Sequence, residues 1–195
     1  YSRIGLPSSR TFTWVQATNN RATLYAQLGD FAAAAADYAT ITRYLSPRYT
    51  TPYHASQAVA YVSWAAQLAD EGQDDKALER YQQAQDAFDA AIEQEPEHSD
   101  FYVWRGVADH NILGDLDKAA ENYTTALLQD PEHVDALLGL GWVFYQEAEN
   151  LRKEIAAAPV DSLQQTSLQT EARLKYQAAL QYFRLAALYD PQQAN

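Results

Sequence analysis

The stretch Gly114-Asp115-Leu116-Asp117-Lys118-Ala119-Ala120-Glu121-Asn122-Tyr123-Thr124-Thr125-Ala126-Leu127-Leu128-Gln129-Asp130-Pro131 carries, in eighteen residues, the pattern that decides the fold. A glycine opens it, a proline closes it, and between them Ala119, Tyr123 and Ala126 fall at i, i+4 and i+7. That spacing puts two small residues and a ring on one helix face, where a second helix can approach closely around the ring. The same arrangement follows Gly29 as Ala34 and Tyr38, and follows Gly72 as Ala77, Tyr81 and Ala84. The turns Leu28-Gly29-Asp30-Phe31, Glu71-Gly72-Gln73-Asp74 and Leu113-Gly114-Asp115-Leu116 are spaced 43 and 42 residues apart. Prolines 47, 96, 131 and 191 end the following helices, because proline cannot continue one. Two of these turns repeat a pattern, Pro96-Glu97-His98-Ser99-Asp100 and Pro131-Glu132-His133-Val134-Asp135, and Ser99, Asp100 or Asp135 is expected to cap the next helix.

The segment from Gly114 to Pro131 resembles the second half of a tetratricopeptide repeat, and Leu140-Gly141 followed by Phe144 resembles the first helix of the next one. The resemblance runs from about Thr11 to Pro191. It implies an all-α, right-handed superhelical stack of antiparallel hairpins, with helices at 9–28, 31–45, 53–70, 74–94, 100–112, 116–129, 134–157 and 162–189. Residues 9–195 then form one domain of four hairpins, 9–45, 53–94, 100–129 and 134–189. Residues 1–8, with Gly5 and Pro7, are expected to form a flexible or extended arm. Two departures stand out. One residue too many separates Gly106 from Gly114, and the last hairpin has arms of 24 to 28 residues, broken only around Pro159-Val160-Asp161-Ser162.

Composition narrows the function. The 195 residues contain no cysteine, which excludes disulfides, thiolate metal sites and cysteine nucleophiles. The chain also lacks methionine, so it is expected to be a processed mature chain or a segment of a longer one. Absence of both sulfur residues suits an extracytoplasmic or cell-surface setting. A net charge of −12 argues against nucleic acid and anionic membranes as partners. The charge is unevenly spread: residues 1–68 hold five arginines against Asp30 and Asp37, and the remainder is strongly acidic.

Candidates for chemistry have simpler explanations. His98 and His133 occupy equivalent turns, on the order of 10 Å apart in a stack, too far to share a metal ion. The acidic groups Asp70, Glu71, Asp74, Asp75 and Glu93, Glu95, Glu97, Asp100 lack the alternating ligands of a calcium loop and read as solvated turns. Asn122-Tyr123-Thr124 matches a glycosylation acceptor but lies beside a packing tyrosine. No phosphate-binding loop, nucleophile elbow or zinc-protease motif occurs. The chain is therefore expected not to be an enzyme and to need no cofactor, metal or small-molecule substrate.

The resemblance implies a groove lined by the first helix of each hairpin, where a peptide or partner helix binds. The residues expected to meet a partner are Asn19, Asn20, Trp104, Arg105, Trp142 and Tyr145. The alternative for Trp104 and Trp142 is packing between hairpins. The clamp by which some family members grip an acidic carboxyl terminus is not recognisable. From Tyr176 to Tyr189 the last helix is apolar nearly all round, which calls for burial on two faces. In an alternative reading, Tyr182, Leu185, Leu188 and Tyr189 take part in self-association, the acidic last hairpin of one copy docking head to tail on the mildly basic N-terminal end of the next to give a ring or filament.

Overall fold

The computed structural model describes residues 9–159 and 163–190. The expected arm at 1–8, most of the break around Pro159 and the stop at Pro191 lie outside these or at their edge. Among the described residues the chain forms eight α-helices: α1 Ser9–Gln27, α2 Phe31–Tyr44, α3 Thr51–Asp70, α4 Asp74–Gln94, α5 Ser99–Ala108, α6 Leu116–Gln129, α7 Val134–Ala157 and α8 Leu163–Tyr189. A 3₁₀ turn at Pro47–Tyr49 precedes α3, and a π-helical turn at Asp109–Leu113 continues α5. Consecutive helices pair as antiparallel hairpins, the all-α architecture of a tetratricopeptide-like array. The chain groups into two compact units that meet in sequence between Phe101 and Tyr102.

The repeated glycines adopt left-handed backbone, φ 77° at Gly29, 72° at Gly72 and 63° at Gly114. That conformation lets the chain reverse at a helix end and is strained for any residue with a Cβ. After two of them the next helix is capped by the aspartate that follows. Asp30 accepts the Ala33 amide at 3.0 Å and Asp115 accepts the Lys118 amide at 3.1 Å. Together with the Lys118 ammonium, this donor holds the Asp115 carboxyl below its usual range. The caps expected at Ser99, Asp100 and Asp135 are displaced. The first-turn amides of Phe101 and Leu137 bond the carbonyls of His98 and His133, so Ser99, Asp100 and Asp135 already lie inside the helices. Asp100 and Asp135 favour the positive helix end through their charge.

In the first unit, Val15, Ala22, Ala34, Ala35, Tyr38, Ile41 and Ala60 make a core of α1, α2 and α3. Arg21 grips Asp37 across α1 and α2 with two bonds of 2.7 Å, Nε to Oδ2 and Nη2 to Oδ1. Phe88 with Ala58, Ala84 and Ala87 fills the α3–α4 hairpin. The Arg80 guanidinium lies 4.5 Å from the Trp64 ring, so an arginine covers what would otherwise be exposed indole.

In the second unit the ring-between-small-residues pattern reaches its tightest form. Tyr123 on α6, 2% exposed, lies against Gly106 of α5 and Gly139 of α7. A Cβ on Gly106 would stand 2.9 Å from Cε1 of the ring, and one on Gly139 only 2.5 Å from Cζ. Gly141 performs the same service for Phe183 of α8, where a Cβ would meet Cε1 at 2.5 Å. Along α8, Ala172, Ala179 and Ala186 are buried at seven-residue spacing, a narrow seam against α7. Phe144 stacks on Tyr182 at 5.5 Å, Lys175 pairs with Glu147 at 2.8 Å, and the Tyr176 hydroxyl donates to Glu149 at 2.5 Å.

Gly139→Ala tests whether α7 depends on this close approach. Alanine gains about 1 kcal/mol over glycine in helix propensity, but three ring carbons stand in the way. A net loss of about 1–2 kcal/mol is expected from overpacking, read as a lower urea midpoint with unchanged slope.

Candidate functional site

Helices α5, α6 and α7 enclose an open groove of about 490 Å³ within the second unit. One wall is Val103, Trp104, Val107, His110 and Asn111, residues that recur at helical spacing along α5 and its π-helical continuation. The other is Asp135, Leu138, Gly139 and Trp142, at i, i+3, i+4 and i+7 on α7. Tyr123 forms the floor between them. The floor exists because glycine occupies positions 106 and 139, which lets the two walls close down on one ring.

Trp104 is 38% exposed and Trp142 is 54% exposed, so neither is consumed in packing between hairpins. Trp142 is nevertheless held in place, edge-on to Phe183 at 5.4 Å and to Tyr145 at 5.7 Å. An indole braced from behind presents its remaining surface with little rotamer freedom left to lose. His110 also lines the groove, and burial lowers its pKa from the ordinary histidine value. Asp135 is exposed at the start of α7.

Beneath the α5 wall lies a polar network. Arg105 Nε donates to Asn122 Oδ1 at 2.8 Å, and Asn122 Nδ2 donates to Asp109 Oδ2 at 2.7 Å. Asp109 is 1% exposed and Asn122 is 6% exposed. The Asp109 carbonyl also accepts the amides of Gly114 and Asp115, closing the π-helical turn. A π turn holds one residue more than an α turn, which is how the extra residue between Gly106 and Gly114 is absorbed without rotating Gly106 off Tyr123. Burial, reinforced by the negative charge of Asp109, pushes the Tyr123 hydroxyl up to about 12.

Of the residues singled out in the sequence, Trp104 and Trp142 are brought together on this groove. Arg105 points away from it, toward Asn122 and over the Tyr102 ring at 5.7 Å. Tyr145 leans toward α8, 6.0 Å from Tyr176. Asn19 and Asn20 stand on α1 in the other unit, Asn19 half-buried and Asn20 exposed. On α8, Leu185, Leu188 and Tyr189 are exposed, whereas Tyr182 is half-buried in its stack on Phe144. Asp135, Leu138, His110 and Asn111 were not among the expected residues. Their signal was available, since each shares a helical face with Trp142 or Trp104.

The hairpins and their closely packed small-residue faces define an array of antiparallel helical hairpins, and no helix among the described residues is long and apolar enough to cross a membrane. The tetratricopeptide repeat pattern matches residues 69–108 and 113–159. This match to the tetratricopeptide repeat covers 87 of the 195 residues, and members of that family generally act as scaffolds for protein–protein interaction. Among solved structures, the chain is similar to a TPR repeats protein from Bacteroides fragilis, 16% identical over 92% of this chain and 77% of that one, with a TM-score of 0.42. It is also similar to MamA protein, 16% identical over 93% of this chain and 94% of that one, with a TM-score of 0.39. No curated protein matches the sequence.

Two measurements test the buried network. Asn122→Ala removes the amide that serves both Asp109 and Arg105, and a loss of about 1–3 kcal/mol in unfolding free energy is expected. For Tyr123 the sign follows from its raised value. The unfolded chain ionises first, near pH 10, so stability falls as pH rises toward about 12. Tyr123→Phe should lack that component of the alkaline decline in thermal unfolding.

Proposed function

We propose that the chain is a binding scaffold whose second unit takes a peptide or partner helix in the groove between α5 and α7. The observation that carries this reading is the pairing of two partly exposed indoles, Trp104 and the braced Trp142, across one trough. Tryptophan is the side chain most enriched among residues that dominate binding energy, and such residues cluster in well-packed pockets. The trough has an apolar floor and a few polar groups at its sides, the composition of a recognition site.

Capture of partners on the immobilised chain tests it. Trp104→Ala and Trp142→Ala should each weaken the bound partner by about 2 kcal/mol, or roughly 30-fold. Tyr44→Ala, an exposed aromatic on α2 at 70% exposure, should not. Unchanged binding by both tryptophan variants would remove the groove from consideration.

A second reading has its own observation. Leu185, Leu188 and Tyr189 leave an apolar strip on the outer face of α8, 40%, 71% and 36% exposed. Together with the contrast between the arginine-bearing first 68 residues and the acidic remainder, this supports association between copies of the chain. Light scattering over a range of concentrations should then show growth that Leu185→Glu and Leu188→Glu abolish; a monomer at every concentration would dismiss it.

A further inference from the structure

The groove is chemically one-sided. Of the residues that line it, Asp135 is an exposed carboxylate, and burial disfavours the charged form of His110. No lysine or arginine lines the groove; elsewhere in the second unit Lys118, Arg152 and Lys175 pair with Asp115, Glu149 and Glu147, and Arg105 turns from the groove to Asn122. The chain as a whole carries −12. An anion entering the groove would meet a carboxylate and the negative faces of two indoles, and a cation would find both favourable.

The register of the walls adds a length. Gly106 and Gly139 abut the same tyrosine ring, and α5 and α7 run in the same direction because each is antiparallel to α6. Trp104 therefore lies two residues before that level and Trp142 three residues after it. At about 1.5 Å per residue they are about 7.5 Å apart along the helices. Asp135, four residues before Gly139, belongs to the Trp104 end. Alternate side chains on one face of an extended strand are about 6.5–7 Å apart.

We infer that the groove recognises an extended cationic segment, with a lysine or arginine side chain lodged between Asp135 and Trp104 and an apolar side chain two residues away against Trp142. This rests on the groove reading above and adds the chemistry of the partner. Val107 and Leu138, one residue to either side of the Tyr123 level, lie between the two positions. The basic position pairs with Asp135 at its head and with the Trp104 ring along its stem, an arrangement that long cationic side chains suit because stem and head differ in polarity.

A random dodecapeptide display library panned on the full chain tests this, with the enriched sequence remade as a fluorescein-labelled peptide for anisotropy titration. The expected consensus is Lys or Arg followed or preceded at two residues by an aliphatic or aromatic residue. Asp135→Asn should weaken that peptide on the order of tenfold, and raising salt should weaken it on wild type more than on the variant. Panning on Asp135→Lys should lose the basic position. An acidic or uncharged consensus whose binding is abolished by the double change Trp104→Ala and Trp142→Ala overturns the cationic inference and leaves the groove standing. Enrichment indifferent to the double change, or no enrichment at all, overturns both. Circular dichroism of each variant verifies that its helices are intact.

Discussion

The second unit depends on one steric fact: the ring of Tyr123 occupies the space that side chains at positions 106 and 139 would otherwise fill. Two helices can share a single aromatic floor only if each presents hydrogen in place of a methyl group at the point of closest approach. The trade is unfavourable locally, since glycine inside a helix costs about 1 kcal/mol relative to alanine. It is offset by burying a tyrosine almost completely, and large aromatic side chains dominate core energetics. Everything that makes the groove a groove follows from this: its depth, the level of its walls, and the fact that Trp104 and Trp142 face one another's vicinity without filling it.

The network of Arg105, Asn122 and Asp109 serves the same constraint from the other side. An insertion of one residue in an α-helix rotates everything beyond it by about 100°. Here the extra residue is placed after Gly106 and taken up in a π-helical turn that Asp109 closes with its carbonyl while its carboxylate holds Asn122. The side chain next to the packing tyrosine thus fixes where the irregularity sits. Buried polar groups of this kind contribute little net stability but penalise alternative registers, because any slip leaves a carboxylate buried without its donor.

Much of this was legible before any coordinates, for reasons that can be stated residue by residue. The three glycine turns and the Ala-Tyr-Ala faces are local patterns, and a local pattern fixes a helix and its buried side without reference to the rest of the chain. Helix α3 begins two residues earlier than expected because Pro52 sits inside its first turn, where a missing amide costs nothing. The extra residue before Gly114 was visible as a count. Its resolution as a π turn was not, since that depends on Asn122, thirteen residues away and on another helix. Arg105 was expected beside Trp104, yet adjacent residues on a helix point about 100° apart, and only packing decides which of the two faces the groove. The same limit applied to the two tryptophans, whose sequence context allowed burial between hairpins as readily as display.

Exposure is where fold and function separate in this chain. Tyr38, Tyr81 and Tyr123 are spent on the core, at 7%, 5% and 2% exposure, and each sits in the position that the repeat assigns to it. Trp104 and Trp142 occupy helix faces that the repeat leaves open, and they remain partly uncovered although a core could have used them. Nearly all of the bracing around Trp142 comes from behind, from Phe183 and Tyr145, so the ring is fixed without being buried. A side chain ordered in advance and still accessible lowers the entropy cost of association, and the placing of Asp135 at one end of the pair gives the trough a direction as well as a depth. A symmetric apolar trough would accept a segment in either orientation; a carboxylate at one end favours the orientation that brings a cation to it.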